Sequence, residues 1–318
     1  MNQKNSEKSK DVPEVATIAA DDTPPPYQRI YLVLNPAAGG DEPVINTIND
    51  VFHSAGIQWE VDVTHKYGDA QELAHKAAEA GYDLVAGYGG DGTQHEIANG
   101  LIGTGVTMGV LPGGTGNGFC REMGLPDKLK PALEILATSH KVKNIDVVAF
   151  EDQYFIQRLY VGIEPEEQTS REKKDKYGTL AYAITVKERL KTKKDIHYRI
   201  TIDDEVIETP ASKVYVVNAS QSGTGISVTG DLSSSDDGLL EVFILDQANL
   251  KTLSAAADRM LNLHTRGAEQ FFWRGKEISI DTEPDQPVWT DGEYQGRTPV
   301  SMKVIPGGLP IVVAEETS

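Results

Sequence analysis

At 318 residues the chain is long enough for about two domains with sizeable cores. Asp and Glu outnumber Lys and Arg 48 to 30, for a net charge of −18, which argues against a protein that coats nucleic acid, because neutralising phosphates needs basic residues in excess. The one cysteine, Cys120, excludes an internal disulfide and a cysteine-based zinc site, and fits a reducing cytoplasm.

Residues 1–28 mix Lys, Glu, Asp and Ser, end near Pro24-Pro25-Pro26, and are expected to form a disordered tail. From Arg29 onward, short apolar runs alternate with stretches of helical period. Ile30–Leu34, Trp59–Val63, Leu84–Gly87 and Thr107–Leu111 read as strands. Between them Val44–Phe52, Ala70–Ala80 and Glu96–Leu101 read as helices. This rhythm implies a parallel, doubly wound α/β sheet over residues 29–144.

Beyond residue 145 the rhythm changes. Ile145–Phe150, Phe155–Val161, Ile196–Ile202, Val214–Ala219, Leu239–Leu245, Phe271–Ile280 and Pro299–Ile305 read as strands. Only Gly178–Leu190 and Leu250–Asn262 look helical. Residues 145–318 are therefore expected to form a second, mainly antiparallel β domain. No apolar run approaches the roughly 18 residues of a membrane-spanning helix, and Met1–Lys10 has no hydrophobic signal core. Any membrane contact should be peripheral.

Three glycine-rich turns follow predicted strands: Asn35–Gly40, Gly89–Thr93 and Gly113–Asn117. At that sheet edge a helix N-terminus offers free N–H groups to an anion, and glycine removes the Cβ that would keep the backbone away from a phosphate. Gly87-Tyr88-Gly89-Gly90-Asp91-Gly92 satisfies G-x-G-x-x-G, but the acidic residue expected about 20 residues later is missing. No P-loop pattern occurs, and His95-Glu96 fails the zinc motif because residue 99 is Asn. Asp237-Gly238 and Asp291-Gly292 are hairpin signals in their own right.

The combination is more informative than any one loop. Asn35-Pro36, Gly89-Gly90-Asp91-Gly92-Thr93 with Glu96, Leu111-Pro112-Gly113-Gly114-Thr115-Gly116-Asn117, Asp236-Asp237-Gly238-Leu239-Leu240 and Asp291-Gly292-Glu293 occur in this order. Together they resemble the lipid kinase family that includes the diacylglycerol and sphingosine kinases, within the NAD kinase-like superfamily. The likeness runs from about residue 29 to 313.

That resemblance implies ATP and Mg²⁺ as cofactors and transfer of the γ-phosphate to a hydroxyl of a diacylglycerol-like or sphingoid lipid. The nucleotide would lie in the cleft between the two domains, with contacts from Asn35, Pro36, Gly39, Thr64, Gly90, Asp91, Gly92, Thr93, Glu96, Gly114 and Thr115. Asp91 would act on the triphosphate through Mg²⁺, and Glu293 would take the proton of the acceptor hydroxyl. Ser234, Asp237 and Leu239 match a second, structural Mg²⁺ site of carboxylate and carbonyl oxygens.

The chain departs from the family pattern at Gly40-Asp41, where a Lys often stands, at His95 in place of Asn, at Gly118 in place of Asp, and at Glu164 in place of a commoner Asp. Nine of the 30 basic residues fall between Arg171 and Lys194, a local reversal of charge that could dock on anionic lipid or form a solvated helix face. The expected setting is cytoplasmic and peripheral at the membrane, with a lipid substrate, no nucleic acid, and a homodimer left open. A soluble-acceptor enzyme of NAD kinase type and a non-catalytic nucleotide or lipid binder are the alternatives.

Overall fold

The computed structural model describes residues 25–40, 42–162, 196–218, 234–245 and 272–315. The expected tail up to residue 24, the helices over 178–190 and 250–262, the basic stretch and Glu164 lie outside the described residues. Four short strands build the first half: β1 (Arg29–Leu34), β2 (Gln58–Val63), β3 (Leu84–Gly89) and β4 (Thr107–Pro112). They pair in parallel in the order β2-β1-β3-β4. Helices α1 (Val44–Ser54), α2 (Asp69–Glu79), α3 (Asp91–Leu101), α4 (Gly118–Glu122) and α5 (Leu129–Thr138) follow or connect them.

The pattern of β1 explains the layering. Successive side chains of a strand point to opposite faces, and a strand buried on both faces must be apolar throughout. Ile30 and Leu32 pack with Ile48 and Phe52 of α1 and with Leu133 and Leu136 of α5. Tyr31 and Val33 pack on the other face with Ala74 of α2 and Ile97 and Leu101 of α3.

Two helical features differ from the sequence reading. α3 starts at Asp91 rather than near Glu96, because Gly90 is extended (φ −86°, ψ −175°) and ends the turn at once. Glycine's low helix propensity hides that start in the sequence. α5 is a further helix, with Leu129, Ala132, Leu133 and Leu136 on its buried face; Pro131 in its first turn costs little there but obscures the period.

The second half is antiparallel: β5 (Val142–Phe150), β6 (Gln153–Phe155), β7 (Arg158–Val161), β8 (Ile196–Ile202), β9 (Glu205–Ala211), β10 (Lys213–Val217), β11 (Leu240–Leu245), β12 (Phe272–Gly275), β13 (Glu277–Glu283), β14 (Pro287–Thr290), β15 (Glu293–Arg297) and β16 (Val300–Val312). One sheet has the order β12-β11-β10-β7-β14-β15. The other continues the parallel sheet: β16 pairs with β4 at Ile311–Met108 and with β13, β13 pairs with β8 and β8 with β9, while β5 lies along β16. The sheet therefore runs unbroken past residue 145. Val148, Tyr198, Ile200, Val214, Val242 and Ile280 fill the space between the two sheets.

The runs expected as single strands over 155–161 and 271–280 are each broken in two. At the first break the N–H groups of Ile156 and Gln157 turn to the Asp291 carboxylate instead of a strand partner.

Candidate active site

Three loops leave the ends of β1, β3 and β4 side by side and are tied to one another. Asn35 N–H donates to Tyr88 O (2.9 Å), Gly39 N–H to Gly113 O (2.5 Å), and Gly113 N–H to Gly89 O (3.0 Å). The Asn35 amide donates to Thr93 Oγ1 at 3.0 Å, while its Oδ1 accepts from Ala37 N–H and shapes the turn at Pro36. Gly39 takes a φ of +80°, and a Cβ there would strike the Tyr88 hydroxyl at 2.1 Å. Tyr88 donates in turn to Glu42 at 2.7 Å. Between the first and third of these loops lies a cavity of about 320 Å³, bounded by Gly39, Gly40, Gly113 and Gly114 and by Glu42, Thr115 and Asp127.

Gly90, Asp91, Gly92 and Thr93 form the start of α3, and no side chain caps its first N–H groups. An uncapped N-terminus of an eleven-residue helix carries partial positive charge. The Asp91 carboxylate reaches sideways: Oδ2 accepts from Gly118 N–H (3.2 Å) and Oδ1 from Phe119 N–H (3.0 Å), which closes the N-terminus of α4. Each of its oxygens keeps a second lone pair, so the group can still meet a cation or water.

Glu96 lies one turn along α3. Its Oε2 accepts from Gly68 N–H (2.9 Å) and Ala70 N–H (3.2 Å), which anchors the start of α2 and the segment that begins at Thr64. Burial pushes its pKa up, against the pull of those two N–H groups. Thr64 is half-buried at the end of β2, its N–H on Leu34 O at 3.0 Å.

Glu293 arrives from the other half of the chain, on the turn between β14 and β15. A side chain on Gly92 would begin 3.9 Å from Glu293 Oε1, so the carboxylate stands over the first turn of α3. Its charge, with that of Glu96, adds to burial in raising the pKa of the nearby Tyr67 hydroxyl.

The third group of candidates lies apart. Among the described residues no hydrogen bond links the Ser234–Leu239 loop to the glycine loops. It is held by Asp146, whose Oδ2 accepts from Gly238 N–H at 2.6 Å, and by Lys143, which donates to Ser235. The Ser234 hydroxyl donates to Asp236. Asp237 accepts from Leu239 N–H at 3.0 Å through Oδ1 and from Arg274 at 2.5 Å through Oδ2. Arg274 also meets the buried Glu241 at 2.8 Å. A guanidinium thus occupies the carboxylate that the sequence offers to a structural Mg²⁺. These donors do not fit that ion as they stand.

Two family models match the chain: the diacylglycerol kinase catalytic domain over residues 29–150, and the YegS C-terminal NAD kinase beta sandwich-like domain over residues 158–313. The chain is thus similar in its first half to the catalytic domain of diacylglycerol kinases. The diacylglycerol kinase of Staphylococcus saprophyticus is 29% identical over 282 residues, covering 86% of this chain and 91% of the relative. That of Staphylococcus epidermidis is also 29% identical, covering 86% and 88%. A crystal structure of a diacylglycerol kinase from Bacillus anthracis superposes with a TM-score of 0.74 at 27% identity, over 90% of this chain and 97% of that one. Among the described residues no helix is long and apolar enough to cross a membrane.

Sequence reasoning marked His95 only as a departure from the family's Asn, and did not single out Asn99, Asp146 or Arg274, although each is engaged by a motif residue or lies beside one. Their partners are far away along the chain. Nothing local marks these pairings.

Proposed function

We propose that the protein is an ATP-dependent lipid kinase that phosphorylates a hydroxyl of a diacylglycerol-like or sphingoid lipid. The observation that carries this reading is the Glu293 carboxylate standing over Gly92 in the first turn of α3, next to Gly90, on which Gly114 of the glycine-lined cavity rests. The cavity has the size and lining for phosphates. Its acidic side chains, Glu42 and Asp127, offer no countercharge to a triphosphate. A Mg²⁺ ion bound with the nucleotide would supply that charge, with Asp91 as the residue to hold it. A second, apolar cavity of about 350 Å³, lined by Leu34, Val44, Ile45 and Val63, adjoins Asn35 and Thr64 and has room for a base.

In this reading the acceptor oxygen attacks the γ-phosphorus as the bond to the bridging oxygen of the β-phosphate breaks, and ADP leaves. Glu293 receives the hydroxyl proton. Peripheral docking on an anionic membrane through Arg171–Lys194 belongs to the same proposal; binding to liposomes should rise with anionic lipid and fall with salt.

The test is transfer of labelled γ-phosphate from ATP to a panel of extracted lipids. Glu293→Gln keeps size and hydrogen-bonding reach but loses basicity, so kcat should fall by about 10²–10⁴-fold with little change in ATP affinity. ATP binding without transfer to any lipid would sink the kinase reading in favour of a binder.

A further inference from the structure

The turn that carries Glu293 is fixed at identifiable points. Asp291 and Gly292 both have left-handed φ, +46° and +97°, as a two-residue hairpin between β14 and β15 requires. The Asp291 side chain is 1% exposed and accepts four hydrogen bonds. Oδ2 takes Ile156 N–H (2.8 Å) and His95 Nδ1 (2.9 Å); Oδ1 takes Gln157 N–H (3.0 Å) and Arg158 N–H (2.8 Å). Three of these donors lie in the β6–β7 segment, on the hairpin's own side. His95 alone comes from α3, the helix that begins in the glycine loop.

His95 is itself held. Its side chain is 4% exposed, and its Nε2 faces the Asn99 amide at 3.3 Å. Asn99 bridges to the backbone of Tyr154 in both directions, at 2.9 Å each. The ring is therefore clamped between α3 and the second half of the chain.

We propose that His95 is a positioning residue for phosphoryl transfer: by donating from Nδ1 to Asp291 it sets the height of the Glu293 turn above Gly92, without touching nucleotide or acceptor. This rests on the reading of Glu293 as the proton acceptor. Burial works against the imidazolium, but the Asp291 bond and the carboxylates of Asp291, Glu293 and Glu96 outweigh it, so the His95 pKa is raised. Burial likewise opposes the Asp291 anion, and the His95 bond with the backbone N–H groups lowers its pKa nonetheless. With the Asp291 carboxylate ionised the link is charge-assisted, the stronger kind of hydrogen bond. Misplacing a catalytic group by about 1 Å can cost about 10²-fold in rate.

The test uses the full chain and two variants. His95→Leu removes the donor; His95→Asn keeps one, because its Nδ2 stands close to where Nδ1 stood. The expected result is a kcat reduced about tenfold or more in His95→Leu, with KM for ATP within about twofold, and recovery to within about threefold in His95→Asn. Amide exchange at Ile156–Arg158 should quicken in the Leu variant and slow again in the Asn variant. If His95→Leu does not fold, His95→Gln, whose longer amide cannot sit at the Nδ1 position, replaces it. An active wild type whose Leu variant keeps its kcat overturns the positioning role alone. So does an Asn variant as slow as Leu, or a KM for ATP that rises in step with the lost rate. A wild type that transfers phosphate to no lipid sinks the kinase reading, and the positioning role with it.

Discussion

Gly114 rests directly on Gly90: a Cβ on Gly114 would come within 2.6 Å of the Gly90 Cα. The contact is backbone on backbone, so no side chain can yield to relieve it. Gly114→Ala should therefore push the two glycine loops apart and weaken ATP binding by about tenfold or more, as a steric clash at a close approach requires. Gly40→Ala is the control, because a Cβ there has no neighbour within 4 Å. Equilibrium nucleotide binding checks the pair; equal affinities would mean that the approach of the loops is irrelevant to the nucleotide.

Asp91 has a structural and a chemical task, and they can be separated. Asp91→Asn keeps an oxygen that can accept one of the two N–H groups of Gly118 and Phe119, so the melting temperature should drop by only a few degrees, in line with the roughly 1 kcal/mol of a lost cap bond. Turnover with Mg²⁺–ATP should fall below about a tenth of wild type, because a metal-linked carboxylate contributes several kcal/mol to the transition state. A variant that melts early yet keeps its rate would leave Asp91 as a cap only.

Glu122, at the end of α4, makes stability depend on pH. Its Oε1 is buried without a hydrogen-bond partner among the described residues, and burial pushes the pKa from 4.5 up to about 8, against the opposing bond from Gln157. A carboxyl raised in the folded state binds its proton more tightly there than in the unfolded chain. Stability is therefore lost as pH rises from about 4.5 to 8. Glu122→Gln should melt higher than wild type at pH 8 and close to it at pH 5. The same difference at both values would rule out the titration.

Arg274 predicts how the second half responds to chelation. Since the guanidinium neutralises Asp237 and meets the buried Glu241, EDTA should shift the melting temperature by less than about 1 °C while stopping phosphate transfer. Arg274→Ala should lower it by several degrees, because Glu241 is fully buried and loses a charged partner. A large loss on chelation in the wild type would show that a cation, not Arg274, holds the Ser234–Leu239 loop.

The order of strands and helices in the first half is legible because inner parallel strands must be apolar on both faces, as β1, β3 and β4 are, while the edge strand β2 alternates Gln58, Glu60 and Asp62 with Trp59, Val61 and Val63. The glycine loops are legible for a related reason, since only a run of residues without Cβ lets Gly113 and Gly114 lie on Gly89 and Gly90. Motif order was enough to name Glu293 and Asp91 together. What the chain order cannot display is pairing across long separations. That Asp91 turns to Gly118 and Phe119, that Glu96 turns to the start of α2, and that Arg274 sits on Asp237 depend on which backbone donors and charges the packed sheets bring within 3 Å or so. The largest such decision joins His95 to Asp291, 196 positions apart. Buried charges must find partners wherever the fold presents them, and only the tertiary structure determines where that is.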